Sequence, residues 1–488
     1  MKAIEAKDAA KYSLIGISIG FLGFYAFQVI KWVPYPWQLD FGEGFTAAIT
    51  GLWAQGLWDW DISTEPFLTM MYGPVFYLIS APLVKVFGLH LAVGRLIEVI
   101  STFLIAFLLY LISGRFTNDK KIQILSGLVI FINPTIRYWS LQFRVDILAA
   151  MFDILGFYVA VKYLSEDGKI LSNKFYLCSI PFLLAAFTKF TYIAGALAIG
   201  IFLLIKDRKT LLKYFPTIVI PAIIIILIGN YFTGGEFFRH IFTYNQTYPF
   251  TEVEVEGTIL KFLHIFYFTL AFFFLSLAYI EKRNPLSLFL ITSSIIFFLT
   301  MVRKGSAGNY AVEFIPILLL CSILVLEEVI NLKIKDSLKL EYSCVLKTVI
   351  VIMLIVQVIP CFGNPIQMPT QTYTESCEYV YQLVENSNGD VLSEDATIIT
   401  YAGKVPYIEF FIFTNLENLN LWDSSPYHSK IRNKEFEYII LKWPIEAHTG
   451  GFGHFSKEAS KLIQENYKLN SSYKTGYYWH DYYIYEPR

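Results

Sequence analysis

Long apolar runs alternate with short polar segments along most of this 488-residue chain. A helix that crosses a bilayer needs about 20 consecutive apolar residues. Runs near this length lie at 13–33, 92–113, 121–139, 146–164, 175–189, 190–206, 212–232, 259–280, 285–302, 310–328 and 346–362. The pattern therefore predicts a multi-pass α-helical membrane protein with about eleven transmembrane helices.

The run 74–88 is too short for a confident span, and it contains Pro82 and Lys85. If this segment lies in the membrane interface, about eighteen Lys and Arg side chains fall on one side of the membrane and roughly six on the other. Since basic residues accumulate in cytoplasmic loops, we expect an inside N-terminus and an outside C-terminus. Residues 34–91 then form one outer loop with juxtamembrane helices.

The first part of this loop carries an apolar stripe at helical spacing. Its members are Phe45, Ala48, Ile49, Leu52 and Trp53. One apolar face suits a helix that lies on the membrane surface. The first part of the outer loop is therefore expected to be a helix that lies on the membrane surface.

The character of the sequence changes near residue 363. Short alternating segments appear, such as "FEYIILKW" and "YYWHDYYIYEP", separated by turn-forming residues. Such alternation is typical of β-strands. We expect a transmembrane domain over 1–362 and a small extracytoplasmic α/β domain over 363–488.

Composition supports a location in the cell membrane and narrows the class of partner. Hydrophobic residues make up 55% of the chain and charged residues 16%, whereas soluble proteins average about 25% charged residues. The net charge of -1 argues against nucleic acid as a partner. The lipid bilayer is the partner that composition implies.

Several charged side chains stand at the predicted outer ends of the apolar runs, where charge is costly unless it is paired or functional. Asp40 and Glu43 open the first outer loop. The others, with one tyrosine among them, are Arg144, Asp146, Lys189, Arg303, Lys304 and Tyr310. Cations opposite carboxylates suit a phosphate-bearing lipid substrate, because the cations hold the phosphate while a carboxylate takes a proton from the acceptor.

Structural roles compete with this interpretation. Arg144 and Asp146 could form an ion pair that caps a helix, and Lys189 could extend to the lipid headgroups. Asp40 and Glu43 could each cap the helix that follows them.

Several motifs in order along roughly residues 10–330 resemble the GT-C integral-membrane glycosyltransferases, in the branch of the protein O-mannosyltransferases and aminoarabinose transferases. They are "LDFGEGF", "YGPVFYLISAPLVKVFG" running into "VGRLIEVIS", "FRVDILAAMFDIL", "AAFTKFTYIAG" and "VRKGSAGNYAVEFIPILLL". The resemblance implies transfer of a sugar from a polyprenyl-phosphate (dolichol-phosphate-type) donor to a lipid, glycan or protein acceptor outside the membrane. It also places residues 74–88 in a juxtamembrane helix.

The resemblance assigns roles to the acidic motif. It implies that Asp40 or Glu43 is the general base. The mannosyltransferases have two adjacent acids here, whereas Phe41 and Gly42 separate the two acids of this chain. Asp40 is the favoured base.

The same resemblance assigns the remaining polar residues to the donor. Arg144 and Asp146 match an "RxD" motif, and Lys189 matches the Lys of a "TK" turn. Lys304 and Tyr310 match the basic segment before a late helix. No cofactor is implied with certainty.

A divalent metal ion, Mg²⁺ or Mn²⁺, is the one cofactor left open. Asp40, Glu43 and Asp146 are the acids that could hold it weakly.

Other classes of protein remain open at this point. A transporter or flippase of lipid-linked sugars also carries intramembrane charges. A non-catalytic scaffold for polysaccharide assembly could retain the same fold as the enzyme. A lipid-linked-sugar polymerase or ligase would use the same class of donor.

Overall fold

The computed structural model describes the chain except residues 1, 248–252, 304, 332–355, 357–358, 360, 362–368, 450–453 and 476–480. The helices before residue 332 are α1 Lys2–Trp32, α2 Phe41–Gln55, α3 Pro74–Phe87, α4 Leu91–Ser113, α5 Lys120–Leu128, α6 Pro134–Trp139, α7 Asp146–Lys162, α8 Ser179–Thr188, α9 Ala194–Lys206, α10 Arg208–Phe232, α11 Glu236–Phe238, α12 Val253–Tyr267, α13 Leu270–Tyr279, α14 Pro285–Met301 and α15 Phe314–Asn331. Ten of the expected apolar runs thus contain helix. The eleventh, 346–362, lies almost wholly outside the described residues.

Few of these helices are long enough to cross a membrane alone. Three pass a test of length and hydropathy, at Lys11–Trp32, Leu91–Ser113 and Arg208–Phe232. The pair Ile259–Tyr267 and Leu270–Lys282 adds a fourth if its 84° bend lies within one span. A count of eleven spans stays a prediction.

Breaks inside the apolar runs have local causes. The run 121–139 is divided because Asn133 caps a new helix through a bond that the Ile136 amide donates to its side chain, with Pro134 at the first helical position. Proline is favoured there because it has no amide hydrogen to leave unpaired. The runs 175–189 and 190–206 are divided at Lys189, where α8 ends in extended backbone. The division places Lys189 at a helix end instead of inside a span.

The apolar stripe of α2 has a different environment from the one expected. Residues Gly42 to Leu52 are all buried, including Thr46 and Thr50 on the polar side. Because α2 packs against α3 and against the helix Ala396–Tyr401 of the C-terminal region, protein covers both of its sides. The expectation of a helix lying on the membrane surface is wrong for α2.

The C-terminal region contains helices α16 Gln371–Glu385, α17 Ala396–Tyr401, α18 Phe410–Asn418, α19 Ser425–Arg432 and α20 Lys457–Asn466. Its strands are β1 Asp390–Ser393, β2 Phe436–Leu441, β3 Tyr467–Tyr473 and β4 Tyr482–Pro487, in the order β1-β2-β4-β3. The β1–β2 pair is parallel, and the other two pairs are antiparallel. The alternating segments therefore do form a small mixed sheet, as the sequence predicts.

This C-terminal region packs directly on the first outer loop. The Tyr373 hydroxyl donates to the Gln38 carbonyl (2.8 Å), and the Thr397 hydroxyl donates to the Gln38 side chain (3.0 Å). Phe41, the residue after Asp40, packs its ring on the His454 imidazole with centroids 4.6 Å apart. The sheet region thus borders the acidic motif on one side.

Candidate functional site

Asp40 stands at the N-terminus of α2, between the first helix and the C-terminal region. Its backbone is extended, and Oδ1 accepts a hydrogen bond from the Gly42 amide (3.0 Å), so it caps the helix. The side chain keeps 26% exposure. Partial burial removes water from the charged form, and this raises the pKa of Asp40 although the Arg144 guanidinium opposes the shift. A reachable carboxyl group with a raised pKa has the properties of a general base.

Arg144 connects Asp40 to the rest of the cluster. Its Nη1 donates to Asp40 Oδ1 (2.9 Å), and its Nη2 donates to the Tyr72 hydroxyl (2.7 Å). The guanidinium also lies 5.7 Å from the Trp139 ring. The distance from Arg144 Nε to Asp146 Oδ2 is 3.9 Å, too long for a hydrogen bond. Arg144 therefore hydrogen-bonds to Asp40 and Tyr72 and has only a longer ionic contact with Asp146.

Asp146 begins α7 and is fully buried. Its Oδ1 accepts from Lys189 Nζ (2.6 Å), from the Asn309 side-chain Nδ2 (3.1 Å) and from the Tyr192 hydroxyl (3.2 Å). Lys189 also lies over the Tyr310 ring, 4.1 Å from its centroid. Three separate segments of the chain meet at this carboxylate, around residues 146, 189–192 and 309.

These contacts form one continuous series from Asp40 through Arg144 and Asp146 to Lys189. The sequence motifs that supply them are separated by up to about 150 residues in the chain, and the fold brings them into contact. Tyr72, Tyr192 and Asn309 also belong to the cluster, and sequence reasoning missed them. They are neutral polar residues, so no cost of burying charge distinguishes them in the sequence.

Glu43 is placed differently from Asp40. It is fully buried, and Oε1 accepts from Arg95 Nε (2.9 Å) and the Phe143 amide (2.6 Å). Oε2 accepts from Arg95 Nη2 (3.0 Å) and the Leu39 amide (2.6 Å). Both oxygens are thus saturated, which leaves Glu43 without a position for an acceptor hydroxyl.

Arg95 on α4 was not expected from the sequence, although it lies within the quoted "VGRLIEVIS" motif. Besides Glu43 it donates to the backbone carbonyls of Trp32, Tyr35 and Trp37, at 2.6–2.9 Å. A fully buried arginine with all of its bonds made is a structural crosslink. Arg95 fixes the path of the chain from α1 to the acidic motif.

Glu98 lies one turn further along α4 and binds the helix end that carries Asp146. Its carboxylate is fully buried and accepts from the amides of Ile147 (2.7 Å) and Leu148 (3.2 Å). These amides are among the unpaired donors at the N-terminus of α7. Helix α4 therefore orients both halves of the cluster, through Arg95 and Glu98.

The late basic segment reaches the cluster only in part. Tyr310 contacts Lys189 as described, whereas Arg303 Nη2 donates to the Gln246 side chain (2.9 Å). Lys304 lies outside the described residues. The predicted roles of Arg303 and Lys304 in phosphate binding stay predictions.

The segment after α10 closes over the first outer loop. The His240 ring is fully buried; Nδ1 accepts from the Met70 amide (2.9 Å), so Nε2 carries the proton and donates to the Trp60 carbonyl (2.7 Å). Burial lowers the pKa of His240 to about 4. Asn245 adds a bond to the Met71 carbonyl (2.8 Å). These bonds fix the backbone just before Tyr72.

The three acids considered for a metal ion each face a cation. Glu43 pairs with Arg95, Asp40 with Arg144, and Asp146 with Lys189. Among the residues that the structure describes, no group of three His, Cys, Asp or Glu side chains is arranged to hold a metal. The geometry therefore does not fit a Mg²⁺ or Mn²⁺ site, and no chemical step is assigned to one.

Comparison with known proteins gives the fold a class. The family model for dolichyl-phosphate-mannose-protein mannosyltransferase matches residues 71–232. ArnT from Cupriavidus metallidurans, solved with undecaprenyl phosphate, is similar over 96% of this chain and 98% of its own, with a TM-score of 0.62 and 13% identity. No curated protein matches the sequence.

Archaeal oligosaccharyltransferases show the same arrangement more distantly. AglB from Archaeoglobus fulgidus, solved with an inhibitory peptide and a dolichol-phosphate, has a TM-score of 0.50 and 11% identity over 98% of this chain and 74% of its own. The same enzyme tethered to an acceptor peptide gives a TM-score of 0.54 with 10% identity, over 95% and 72% of the two chains.

The chain therefore has the fold of the GT-C membrane glycosyltransferases, and the resemblance drawn from its motifs is confirmed. Within that class, the matched family is the dolichyl-phosphate-mannose-protein mannosyltransferase family, over the segment that runs from Met71 to Phe232. The family match and the apolar helices also give a membrane location.

Proposed function

We propose that this protein transfers a sugar from a polyprenyl-phosphate-linked donor to an acceptor hydroxyl on the outer face of the membrane. The observation that carries the proposal is the series Asp40–Arg144–Asp146–Lys189. In it the partly exposed carboxyl group of Asp40 pairs with the half-buried Arg144, and the buried Asp146 pairs with the buried Lys189. The family match and the ArnT and AglB folds support a lipid-phosphate donor.

In the proposed reaction, the acceptor hydroxyl attacks the anomeric carbon of the donor and gives its proton to Asp40. The bond from this carbon to the phosphate oxygen breaks, and its electron pair leaves with the polyprenyl phosphate. Arg144 and Lys189 neutralise the charge that develops on the phosphate. One displacement inverts the configuration of the anomeric carbon.

Glu43 has no chemical step in this proposal, because its two oxygens already accept four hydrogen bonds. Asp40 is the acid that an acceptor can reach, and this agrees with the preference for Asp40 drawn from the sequence. The positive-inside distribution of Lys and Arg supports a location of the cluster on the outer face, with the C-terminal region beside it.

The test measures release of polyprenyl phosphate. The full chain in lipid nanodiscs is mixed with lipid-linked sugars and membrane extract from the source organism, and the free polyprenyl phosphate is quantified by mass spectrometry. Removing a general base typically lowers the rate by a factor of about 10²–10⁴, so Asp40→Asn should lose this much. Asp61→Asn, at an exposed aspartate in the same outer loop, is the matched control and should keep the wild-type rate.

Two results would overturn the proposal. Movement of the lipid-linked sugar across a proteoliposome membrane without release of polyprenyl phosphate would identify a transporter. Wild-type release by Asp40→Asn would remove the carboxylate from the chemistry.

A further inference from the structure

Tyr72 holds a central position in the cluster. It is the first residue of the motif "YGPVFYLISAPLVKVFG", but the sequence assigned no role to it. It lies two residues before α3 and keeps 9% exposure. Its ring is 5.6 Å from the Arg144 guanidinium carbon and 5.7 Å from Lys189 Nζ. Both distances are within the range of a cation–π contact. The phenol ring therefore lies close to both cations to which the donor phosphate is assigned.

The hydrogen bonds of Tyr72 leave one proton to be donated. Arginine only donates hydrogen bonds, so the Tyr72 oxygen accepts from Arg144 Nη2 (2.7 Å). Within the part of the chain that the structure describes, the hydroxyl proton itself has no acceptor. Burial raises the pKa of Tyr72, so the proton stays on the oxygen at neutral pH. A phenol close to two cations is a good donor toward an anion.

The backbone around Tyr72 is fixed before any ligand binds. The Met70 amide donates to His240, and the Gly73 amide donates to the Thr188 carbonyl (3.0 Å), next to Lys189. A side-chain carbon at Gly73 would lie 1.8 Å from the Phe187 carbonyl oxygen, so only glycine permits this approach. Tyr72 is thus held against the end of α8 at a set distance from Lys189.

We infer that Tyr72 is a further phosphate-binding residue, whose hydroxyl donates a hydrogen bond to a phosphate oxygen held by Arg144 and Lys189. This inference rests on the proposed function, because it takes the polyprenyl phosphate of the donor as the ligand. The same chemistry would serve free phosphate, so the test includes both sources.

The experiment measures binding to the full chain in nanodiscs, with undecaprenyl phosphate, undecaprenol and inorganic phosphate as the three probes. Tyr72→Phe keeps the ring and removes only the hydroxyl. Loss of one hydrogen bond to a charged group lowers affinity about tenfold or more, so the dissociation constant for undecaprenyl phosphate should rise by this factor. Binding of undecaprenol, which has no phosphate, should not change.

Tyr25→Phe is the matched control. The Tyr25 hydroxyl is also buried and donates to the Ser140 side chain (2.8 Å) in the interior of the helices, so this variant should bind undecaprenyl phosphate like the wild type. Equal affinity of Tyr72→Phe and wild type for undecaprenyl phosphate would overturn the inference. The inference would also be overturned if Tyr72→Phe changed the affinity for inorganic phosphate but not for undecaprenyl phosphate. Failure of the wild type itself to bind undecaprenyl phosphate would instead reject the proposed function.

Discussion

The different environments of Asp40 and Glu43 lead to a prediction about stability. In Glu43→Gln, one carboxylate oxygen becomes an NH₂ group. Each oxygen of Glu43 accepts one bond from Arg95 and one from a backbone amide. Whichever oxygen is replaced, the new NH₂ group faces two hydrogen-bond donors, one from Arg95 and one from a backbone amide. The Arg95 charge also loses its buried counter-ion.

The magnitude follows from this burial. Both side chains are fully buried, and removal of one partner of a buried ion pair costs about 3–5 kcal/mol. Since stabilities of folded domains are about 5–15 kcal/mol, Glu43→Gln should lose a large part of the total. The same substitution at Asp40 should cost much less, because Asp40 keeps 26% exposure and Asn still accepts the Gly42 bond.

The assay compares unfolding with turnover. Unfolding in denaturant is followed by tryptophan fluorescence in detergent micelles, and polyprenyl phosphate release is expressed per folded molecule. We expect Glu43→Gln to be destabilised but active when folded, and Asp40→Asn to be stable but inactive. Glu281→Gln, at an exposed position, controls for loss of a glutamate charge. A stable but inactive Glu43→Gln would refute the assignment and make Glu43 the base.

Three further predictions follow. The pKa of His240 is lowered from 6.5 to about 4, so the unfolded chain binds more protons than the folded chain between these pH values. The free energy of unfolding should therefore fall by about 3 kcal/mol as the pH drops through this window. His240→Gln should lack this part of the pH dependence when unfolding is measured from pH 4 to 7. Glu98→Ala removes the acceptor for two amides of α7 and should cost about 1–2 kcal/mol in the same assay, whereas Ala at exposed Glu281 should cost little. Treatment with EDTA should leave the release of polyprenyl phosphate unchanged, since the acids of the cluster pair with cations; recovery of lost activity on adding Mg²⁺ or Mn²⁺ would contradict this.

The sequence alone located most of the cluster. Asp40, Arg144, Asp146 and Lys189 stand out because a charge at the end of an apolar run is costly and therefore rarely without a partner or a role. The alternating segments after residue 390 likewise indicate strands, because side chains alternate between the two faces of a sheet. Both signals are local, so they can be read before the fold is known.

The tertiary structure decided which charge meets which. Glu43 and Arg95 lie 52 positions apart in the chain. Only the packing of α2 against α4 turns a candidate site residue and an arginine that the sequence did not single out into a buried crosslink. The burial of the α2 stripe by the C-terminal region and the position of Tyr72 close to two cations also depend on contacts between distant segments. The physical reason is that periodicity and charge report how much burial a segment prefers, whereas the partner that buries it is chosen by the packing of the whole chain.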